Sequence, residues 1–449
     1  MRVLIAGAGV VGTALAEQLS MEGHDVFVVD KRREILEDIE AKLDVLTIRG
    51  SASTPSVLVR AGVKQAELLI AVTNSDEVNL LVGLMGAELG VADIVVRVRN
   101  RELAGERSLL NLEALGIHHI VNPEPVMVDS VMRMLDIPGA EEVTTLAEGA
   151  AQVLKFTLDD DSPIVGKTLK AYRQVASLNA FLILEVTRGD RTFVPRGDDI
   201  LKPGDHVYAL AAAEAISFLV PIFHRSPPST EHVIVAGASR LGISLARALA
   251  TRVKRVYLIE PDKDRAEAAA EALEDVNVLH GATTDLDLLE EAALDHCDLF
   301  CAVSQDDQVN MLTSLLAKKH SDAHTAVLVH QPEFIPVLDS LGVESVISPR
   351  VVTISEILTH VRRGRIHSVI QMPHSDAELL LMELPNKAKV LGKPLHKIKF
   401  PSGVLVAAVS KDGLVMVANG GTVLEPGDQV FVYTRAETIP AVEKLFGES

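Results

Sequence analysis

The chain repeats itself at a nearly constant offset, which restricts it to a tandem architecture. Gly7 and Asp30 recur as Gly237 and Glu260, 230 residues further on. Gly50, Thr73 and Asn79 recur as Gly281, Ser304 and Asn310 at an offset of 231. Leu115-Gly116, Pro123, Gly166 and Leu169 recur as Leu341-Gly342, Pro349, Gly392 and Leu395 at 226, and Pro203-Gly204-Asp205 recurs as Pro426-Gly427-Asp428 at 223. An offset that drifts so little along the whole chain marks a duplication.

The first copy opens on a strand, a glycine turn, a helix, a second strand and an acid. Val3 to Ala6 is a short apolar run, Gly7-Ala8-Gly9-Val10-Val11-Gly12 follows at once, and His24 to Val29 leads to Asp30. This is G-x-G-x-x-G in the context that gives it meaning. Gly7 permits the turn, Gly9 lets backbone approach a pyrophosphate, and Gly12 lets helix and strand pack closely. The exposed amides favour an anion, and Asp30 is placed to accept from ribose hydroxyls. Lys31 and Arg32 follow it, available to phosphate or adenine or simply solvated. Further strands are expected at Asp44–Ile48, Leu68–Val72, Ile94–Val98 and Ile120–Val121, with helices over Glu34–Lys42, Pro55–Ala61, Asn79–Leu89 and Leu103–Leu115. Another helix opens at Asn122-Pro123-Glu124. This alternation predicts an α/β fold, a Rossmann-type doubly wound parallel sheet with the ligand at the carboxyl ends of its strands. That edge carries Gly7, Asp30, Gly50, Ser51, Thr73, Asn74 and Arg97.

Near Pro138 the pattern changes to short β segments with one helix, Leu169–Ala176, a small α+β unit. The polar, proline-containing stretch Ile222–Glu231 reads as a linker. The expected divisions are 1–137 and 232–364 for the Rossmann units, 138–221 and 365–449 for the small units, and 222–231 between the halves.

The second loop departs from the first. Ser239 replaces the middle glycine of Gly237-Ala238-Ser239-Arg240-Leu241-Gly242 and crowds a pyrophosphate. Arg240 is positioned to contact phosphate instead. Glu260 offers a longer carboxylate, Gly281 and Ser304 repeat the edge residues, and His330 stands near the place of Arg97. The second copy is either a second nucleotide site or a degenerate copy kept for packing.

A net charge of −19 argues against sequence-independent nucleic-acid binding and against docking on anionic lipid. Trp is absent and aromatics are 3 %, which disfavours stacking platforms. The first strand begins at residue 2 and no apolar run approaches ~18 residues, so a soluble cytoplasmic protein is expected. Cys297 and Cys301 are expected on one strand face as small core residues. No histidine spacing forms a triad or H-E-x-x-H, and no catalytic residue is assigned. Glu124 favours the helix dipole at a first turn. It is also the candidate carboxylate for a divalent cation at an interface.

GAGVVG with VVD, then RGSAS, AVTNSDEVN, VVRVR and VNPE, resembles the nucleotide domain of the regulators of potassium conductance. The small unit with its PGD turn resembles the C-terminal domain of that family. The tandem arrangement is similar to the peripheral subunits of Trk-type potassium uptake systems. The resemblance implies a homo-oligomer, a tetrameric ring, on the inner face of a Trk-type potassium-transporting membrane subunit. It implies NAD/NADH and ATP/ADP as ligands, with Gly7 to Val11, Asp30, Thr73-Asn74 and Arg97 in contact with NAD and with nucleotide-driven gating of ion flow. The rival readings are an NAD-dependent oxidoreductase and a regulator of a potassium efflux or cation antiport system.

Overall fold

The structure, a computed structural model, describes residues 1–447 except 105–109, 138, 172–180, 190, 224–229, 363–365, 373–374, 376 and 412. The first half builds β1 (Arg2–Ala6), β2 (Asp25–Asp30), β3 (Leu46–Arg49), β4 (Leu68–Ala71), β5 (Asp93–Arg97) and β6 (His119–Val121). They form one parallel sheet in the order β3-β2-β1-β4-β5-β6. The order reverses beside β1, so a crevice opens there at the strands' carboxyl ends. β4 is buried at every position, as a strand covered on both faces must be.

The small unit that follows is antiparallel. It contains β7 (Glu142–Leu146), β8 (Ala151–Thr157), β9 (Phe181–Arg188), β10 (Arg191–Phe193) and β11 (His206–Ala212), in the order β10-β9-β11-β8-β7. The second half repeats both sheets. β12 (His232–Ala236), β13 (Arg255–Glu260), β14 (Asn277–His280), β15 (Leu299–Ala302), β16 (His324–Leu328) and β17 (Ser345–Ile347) form the order β14-β13-β12-β15-β16-β17. β18 (Ile366–Gln371), β19 (Ala377–Glu383), β20 (Leu405–Lys411), β21 (Leu414–Val417) and β22 (Gln429–Arg435) give β18-β19-β22-β20-β21. The architecture is therefore Rossmann-type sheet, small sheet, Rossmann-type sheet, small sheet, as the repeat requires.

Several local expectations change. The helix expected from Asn79 begins at Asp76, because Ser75 Oγ accepts from Val78 N at 3.2 Å and Asp76 and Glu77 fill the first turn. The helix expected over Leu103–Leu115 is not continuous. Arg101–Ala104 is helical, but Leu112–Gly116 is a turn, where the Asn111 side chain accepts from Ala114 N at 3.0 Å. An Asn side chain competes here with the helical ladder. Residues 105–109 of that helix, and 172–176 of the helix expected at Leu169–Ala176, lie outside the described residues. A further helix, Ile216–Phe223, closes the small unit; Ile222 and Phe223, expected in the linker, are buried in it. Cys297 precedes β15 instead of continuing its alternation. It packs in the core on one side of the sheet while Cys301 packs on the other. Burial pushes the Cys297 thiol up to about 12 and the Cys301 thiol higher still.

The two halves are packed crosswise. The helix Pro123–Asp136 carries an apolar stripe of Met127, Val131 and Met134, and it lies against the helix Arg240–Ala250 of the other half. Reciprocally, the helix Pro349–Val361 lies against the helix Val10–Met21. One continuous core joins the first small unit to β12 through Leu154, Phe156, Val233 and Leu245. Another joins the second small unit to β1 through Ile5, Leu15, Ile357 and Val432. The two small sheets also meet face to face through Leu184, Leu210, Leu379 and Phe431. Each half also keeps a core of its own on the other face of its parallel sheet, around Leu4, Leu58 and Ile94 in the first half and around Ile234, Leu289 and Phe300 in the second.

Candidate functional site

At the carboxyl end of β1 the loop Gly7–Gly12 turns into the helix Val10–Met21. Gly7 has φ +110°, and a Cβ there would stand 3.0 Å from Thr73 N. A Cβ on Gly12 would meet Gly7 O at 1.8 Å, so the helix and the turn touch through backbone alone. Gly9 is different: its φ is −75°, and a Cβ would find nothing within 4 Å. Conformation does not require glycine at Gly9, and the space over it is open to a ligand.

Asp30, at the tip of β2, is clamped to this loop. Its Oδ2 accepts from Ala8 N at 2.8 Å, and its Oδ1 accepts from Arg32 N at 2.9 Å and Arg32 Nε at 3.1 Å. Burial opposes its charge. The bonds from Arg32 and Ala8 outweigh that and hold the carboxyl below its ordinary value. The Arg32 guanidinium thus lies on the acid, and a ribose hydroxyl reaching Asp30 must displace it. Lys31 and Val10 are exposed beside the loop, and Val11 is buried beneath it. Gly50 N donates to Asp30 O at 2.9 Å, and Ser51 Oγ lies 2.7 Å from Ser53 Oγ.

The far wall is ordered by Asn79, fully buried. Its Oδ1 accepts from Thr73 N at 2.8 Å and Thr73 Oγ1 at 2.7 Å, and its Nδ2 donates to Arg97 O at 2.9 Å. Asp76 accepts from Arg99 N and Asn100 N, both at 2.9 Å, and Arg99 also donates to Asn74 O at 2.6 Å. Asn79 and Asp76 were not among the expected site residues. In the sequence Asn79 stands out only through the repeat, and the same offset relates Asp76 to Asp307. Arg97 is the exceptional group. Its buried Nε has no hydrogen-bond partner among the described residues. Burial, helped by repulsion from Arg99 and opposed by Asp76, pushes its guanidinium down to about 10. A desolvated cation without its donors satisfied is costly, and an anionic ligand at the crevice would satisfy it.

The second copy reproduces the frame and changes the contacts. Gly237 has φ +109° and Gly242 again abuts Gly237 O. Glu260 Oε2 accepts from Ala238 N at 2.7 Å, Asn310 holds Ser304 N at 2.8 Å, and Gly281 N donates to Glu260 O at 3.0 Å. Ser239, expected to crowd a pyrophosphate, turns inward. Its Oγ accepts from Gly242 N at 3.1 Å and donates to Val303 O at 2.5 Å, capping its own helix. Arg240 is exposed and Leu241 buried.

His330 does not occupy the place of Arg97. Asn310 Nδ2 donates to Leu328 O at 3.0 Å as Asn79 Nδ2 does to Arg97 O, so Leu328 is the counterpart of Arg97. His330 matches Arg99, bonding Asp307 through its backbone N at 3.0 Å and its ring at 2.8 Å. Leu328 and His330 lie two residues apart, one strand repeat, which preserves facing and so hides in an alternation pattern. The second crevice therefore presents leucine where the first presents a desolvated arginine. Glu260 is also 1 % exposed and paired with Arg265 at 2.7 Å.

Glu124 lies in neither crevice. It is buried at the first turn of the crossing helix and accepts from Ser244 Oγ of the other half at 2.7 Å. Among the described residues no group of three or more His, Cys, Asp or Glu side chains could hold a metal ion.

This paired geometry has counterparts among known proteins. The TrkA-N domain model matches residues 3–123 and again 233–349, and the TrkA-C domain model matches 153–224 and 379–447. The chain belongs to the TrkA family. The Trk system potassium uptake protein TrkA of Azorhizobium caulinodans is 32 % identical, over 99 % of this chain and 98 % of its own. That of Haemophilus influenzae is 31 % identical, over 100 % of this chain and 99 % of its own. The fold is shared with the GsuK RCK domain at a TM-score of 0.60, 19 % identity, and 99 % and 94 % coverage of the two chains. It is shared also with a GsuK channel bound to NAD, at 0.59, 18 %, and 99 % and 78 %. In family terms, both crevices belong to TrkA-N units, and the face-to-face small sheets belong to TrkA-C units.

Proposed function

We propose that the chain is the nucleotide-sensing regulatory subunit of a Trk-type potassium uptake system, docked on the inner face of a potassium-transporting membrane partner. It carries no catalysis of its own. The observation that carries this reading is the first crevice, with open space over Gly9 and an unsatisfied, desolvated Arg97 across from it. Gly7 to Gly12 would hold a pyrophosphate, Asp30 the ribose and Arg97 the negative charge of NAD(H), ATP or ADP. The names of its full-length relatives, and the NAD-bound channel that shares its fold, support the same assignment. Among the described residues no helix is long and apolar enough to cross a membrane. A chain with −19 net charge suits the basic cytoplasmic loops of such a partner.

The crosswise packing supports a gating role. A ligand moves an equilibrium only by its differential affinity for the two states. A nucleotide that draws β2 and β5 together acts on the helix Val10–Met21, which rests on the other half's helix Pro349–Val361. In a ring of four copies that displacement would reach the pore. Affinity capture from detergent-solubilised membranes tests the partner, and recovery of a Trk-type transporter is expected. Recovery of an antiporter alone, or NADH turnover at 340 nm with carbonyl substrates, would overturn the reading.

Two substitutions test the residue assignments. Asp30→Ala is expected to weaken NADH binding by about 1–3 kcal/mol, from loss of an acceptor for ribose. Calorimetry measures this, and an unchanged affinity would assign the ribose elsewhere. Arg97→Leu copies the second crevice into the first and removes a charged donor. It is expected to cost about 1.5–3 kcal/mol of nucleotide affinity while raising or preserving the melting temperature, since a buried unsatisfied cation is lost. Unchanged affinity would remove Arg97 from the site.

A further inference from the structure

Apart from both crevices, a cavity of about 430 Å³ lies where the helices Pro123–Asp136 and Pro349–Val361 cross, against β7, β17 and β18. Its volume suits a small-molecule site. Its walls are mainly apolar, formed by Met127, Val143, Ile347, Val352 and Val369. Two polar atoms in it are buried without a hydrogen-bond partner: Glu356 Oε2 and Ser348 Oγ. Both belong to the Pro349–Val361 segment, Ser348 as its N-cap and Glu356 about two turns on, roughly 12 Å along the axis. Buried polar groups in native proteins are nearly always satisfied; a serine hydroxyl at the cavity wall needs only a water, whereas an orphaned carboxyl oxygen among apolar walls points to a missing donor partner.

The other ionisable groups lining the cavity are engaged. Arg133, on the facing helix, donates to Thr145 Oγ1 at 2.7 Å and pairs with Asp129 at 3.6 Å. Glu142 on β7 pairs with Lys155 at 3.7 Å and accepts from Tyr208 of β11 at 3.2 Å. His119 of β6 stacks on His360 at 4.5 Å. Glu356 therefore has burial acting on it with no charged neighbour to offset it, and its carboxyl is pushed up to about 7.

We propose that this cavity binds a linear alkyl-ammonium compound, with its cationic head on Glu356 and its chain along the apolar walls toward Ser348. An anion would meet the carboxyls of Glu356 and Glu142. A bare metal ion would lack a ligand set, since no qualifying cluster occurs among the described residues. The organic cation supplies both the missing donor for Glu356 and apolar surface for the walls. Because the two helices come from different halves, occupancy would bias their crossing and so couple to the nucleotide crevices. The site does not depend on the nucleotide reading.

The test is calorimetry of the full chain with hexylammonium chloride, with hexanoate and 1-hexanol as controls. Saturable binding of hexylammonium is expected, with the alcohol weaker and the carboxylate unbound. Glu356→Gln is expected to cut the affinity at least tenfold. Affinity should fall as pH drops through 7, since a protonated Glu356 offers no charge. Absence of saturable binding, equal affinity in E356Q, or equal binding of hexanoate would overturn the proposal. A melting curve for E356Q at least as high as that of the unmodified chain at pH 8 would show that lost binding is not lost folding.

Discussion

Gly9→Asp is expected to abolish nucleotide binding at the first crevice while leaving the fold intact. The two halves of that expectation rest on different observations. Gly9 is the N-cap of the helix Val10–Met21 at φ −75° and ψ −172°, a conformation that any residue adopts, and a Cβ there meets nothing. Asp is among the preferred N-cap residues, so the helix loses nothing and gains a cap. The chain already carries this solution in its second copy, where Ser239 caps the equivalent helix through Gly242 N. The same carboxylate would stand where the pyrophosphate must approach. Like charges in contact cost several kcal/mol, and about 3 kcal/mol already lowers affinity about 100-fold. Gly9→Ser, which reproduces the second loop, should have a smaller effect. Calorimetry with NADH and a thermal melt of each variant measure both halves. Retained affinity in Gly9→Asp would remove the loop from the site, and a collapsed melt would show that Gly9 is structural.

Arg362→Ala is expected to be the most destabilising single truncation outside the crevices, by ~3–5 kcal/mol. Arg362 follows the helix Pro349–Val361, and its side chain is 2 % exposed. It donates to Glu378 Oε2 of β19 at 2.6 Å and forms an ion pair with Glu22 of the first half. Burial opposes its charge, but Glu378 and Glu22 outweigh this and hold the guanidinium protonated. Truncation leaves both carboxyls without the cation. Glu378 suffers most, since burial already raises its pKa even with Arg362 present. With the arginine gone, protonation of Glu378 becomes the cheaper state. The sign follows: the variant binds a proton more tightly folded than unfolded, so its stability deficit is largest above neutrality and shrinks as pH falls. Urea unfolding at pH 5 and pH 8 measures this. Glu378→Gln added to Arg362→Ala should recover part of the loss at pH 8. A deficit independent of pH, or no recovery, would mean that lost packing and not an orphaned charge sets the cost.

Much of the fold was legible because glycine, proline and acid positions recur at fixed offsets. Gly7, Gly12, Gly50 and their second copies have contacts that only backbone can make, so their spacing carries topology directly. The crevice residues Asp30, Thr73 and Arg97 could be read for the same reason, lying at strand ends that the alternation locates. What escaped were side-chain directions, exact register and contacts between distant segments. That Arg32 folds back on Asp30, that Ser239 caps inward, and that Leu328 and not His330 replaces Arg97 depend on side-chain direction and exact register. The cavity around Glu356 was illegible in principle. It exists only because the helices Pro123–Asp136 and Pro349–Val361 cross between halves, and no local pattern in either helix encodes its partner. The helix expected from Leu103 does not reach Leu115 because Asn111 offers the backbone an alternative bond that apolar periodicity does not register.

The claim on which the rest depends is that nucleotide held in the first crevice controls potassium entry through a membrane partner. Net potassium uptake at low external potassium, in cells whose own copy carries Gly9→Asp, tests it most directly. The variant should be present at normal levels, remain on the membrane and lose the dependence of uptake on cellular nucleotide state. Uptake that still followed nucleotide state as it does with the unmodified chain would contradict the account.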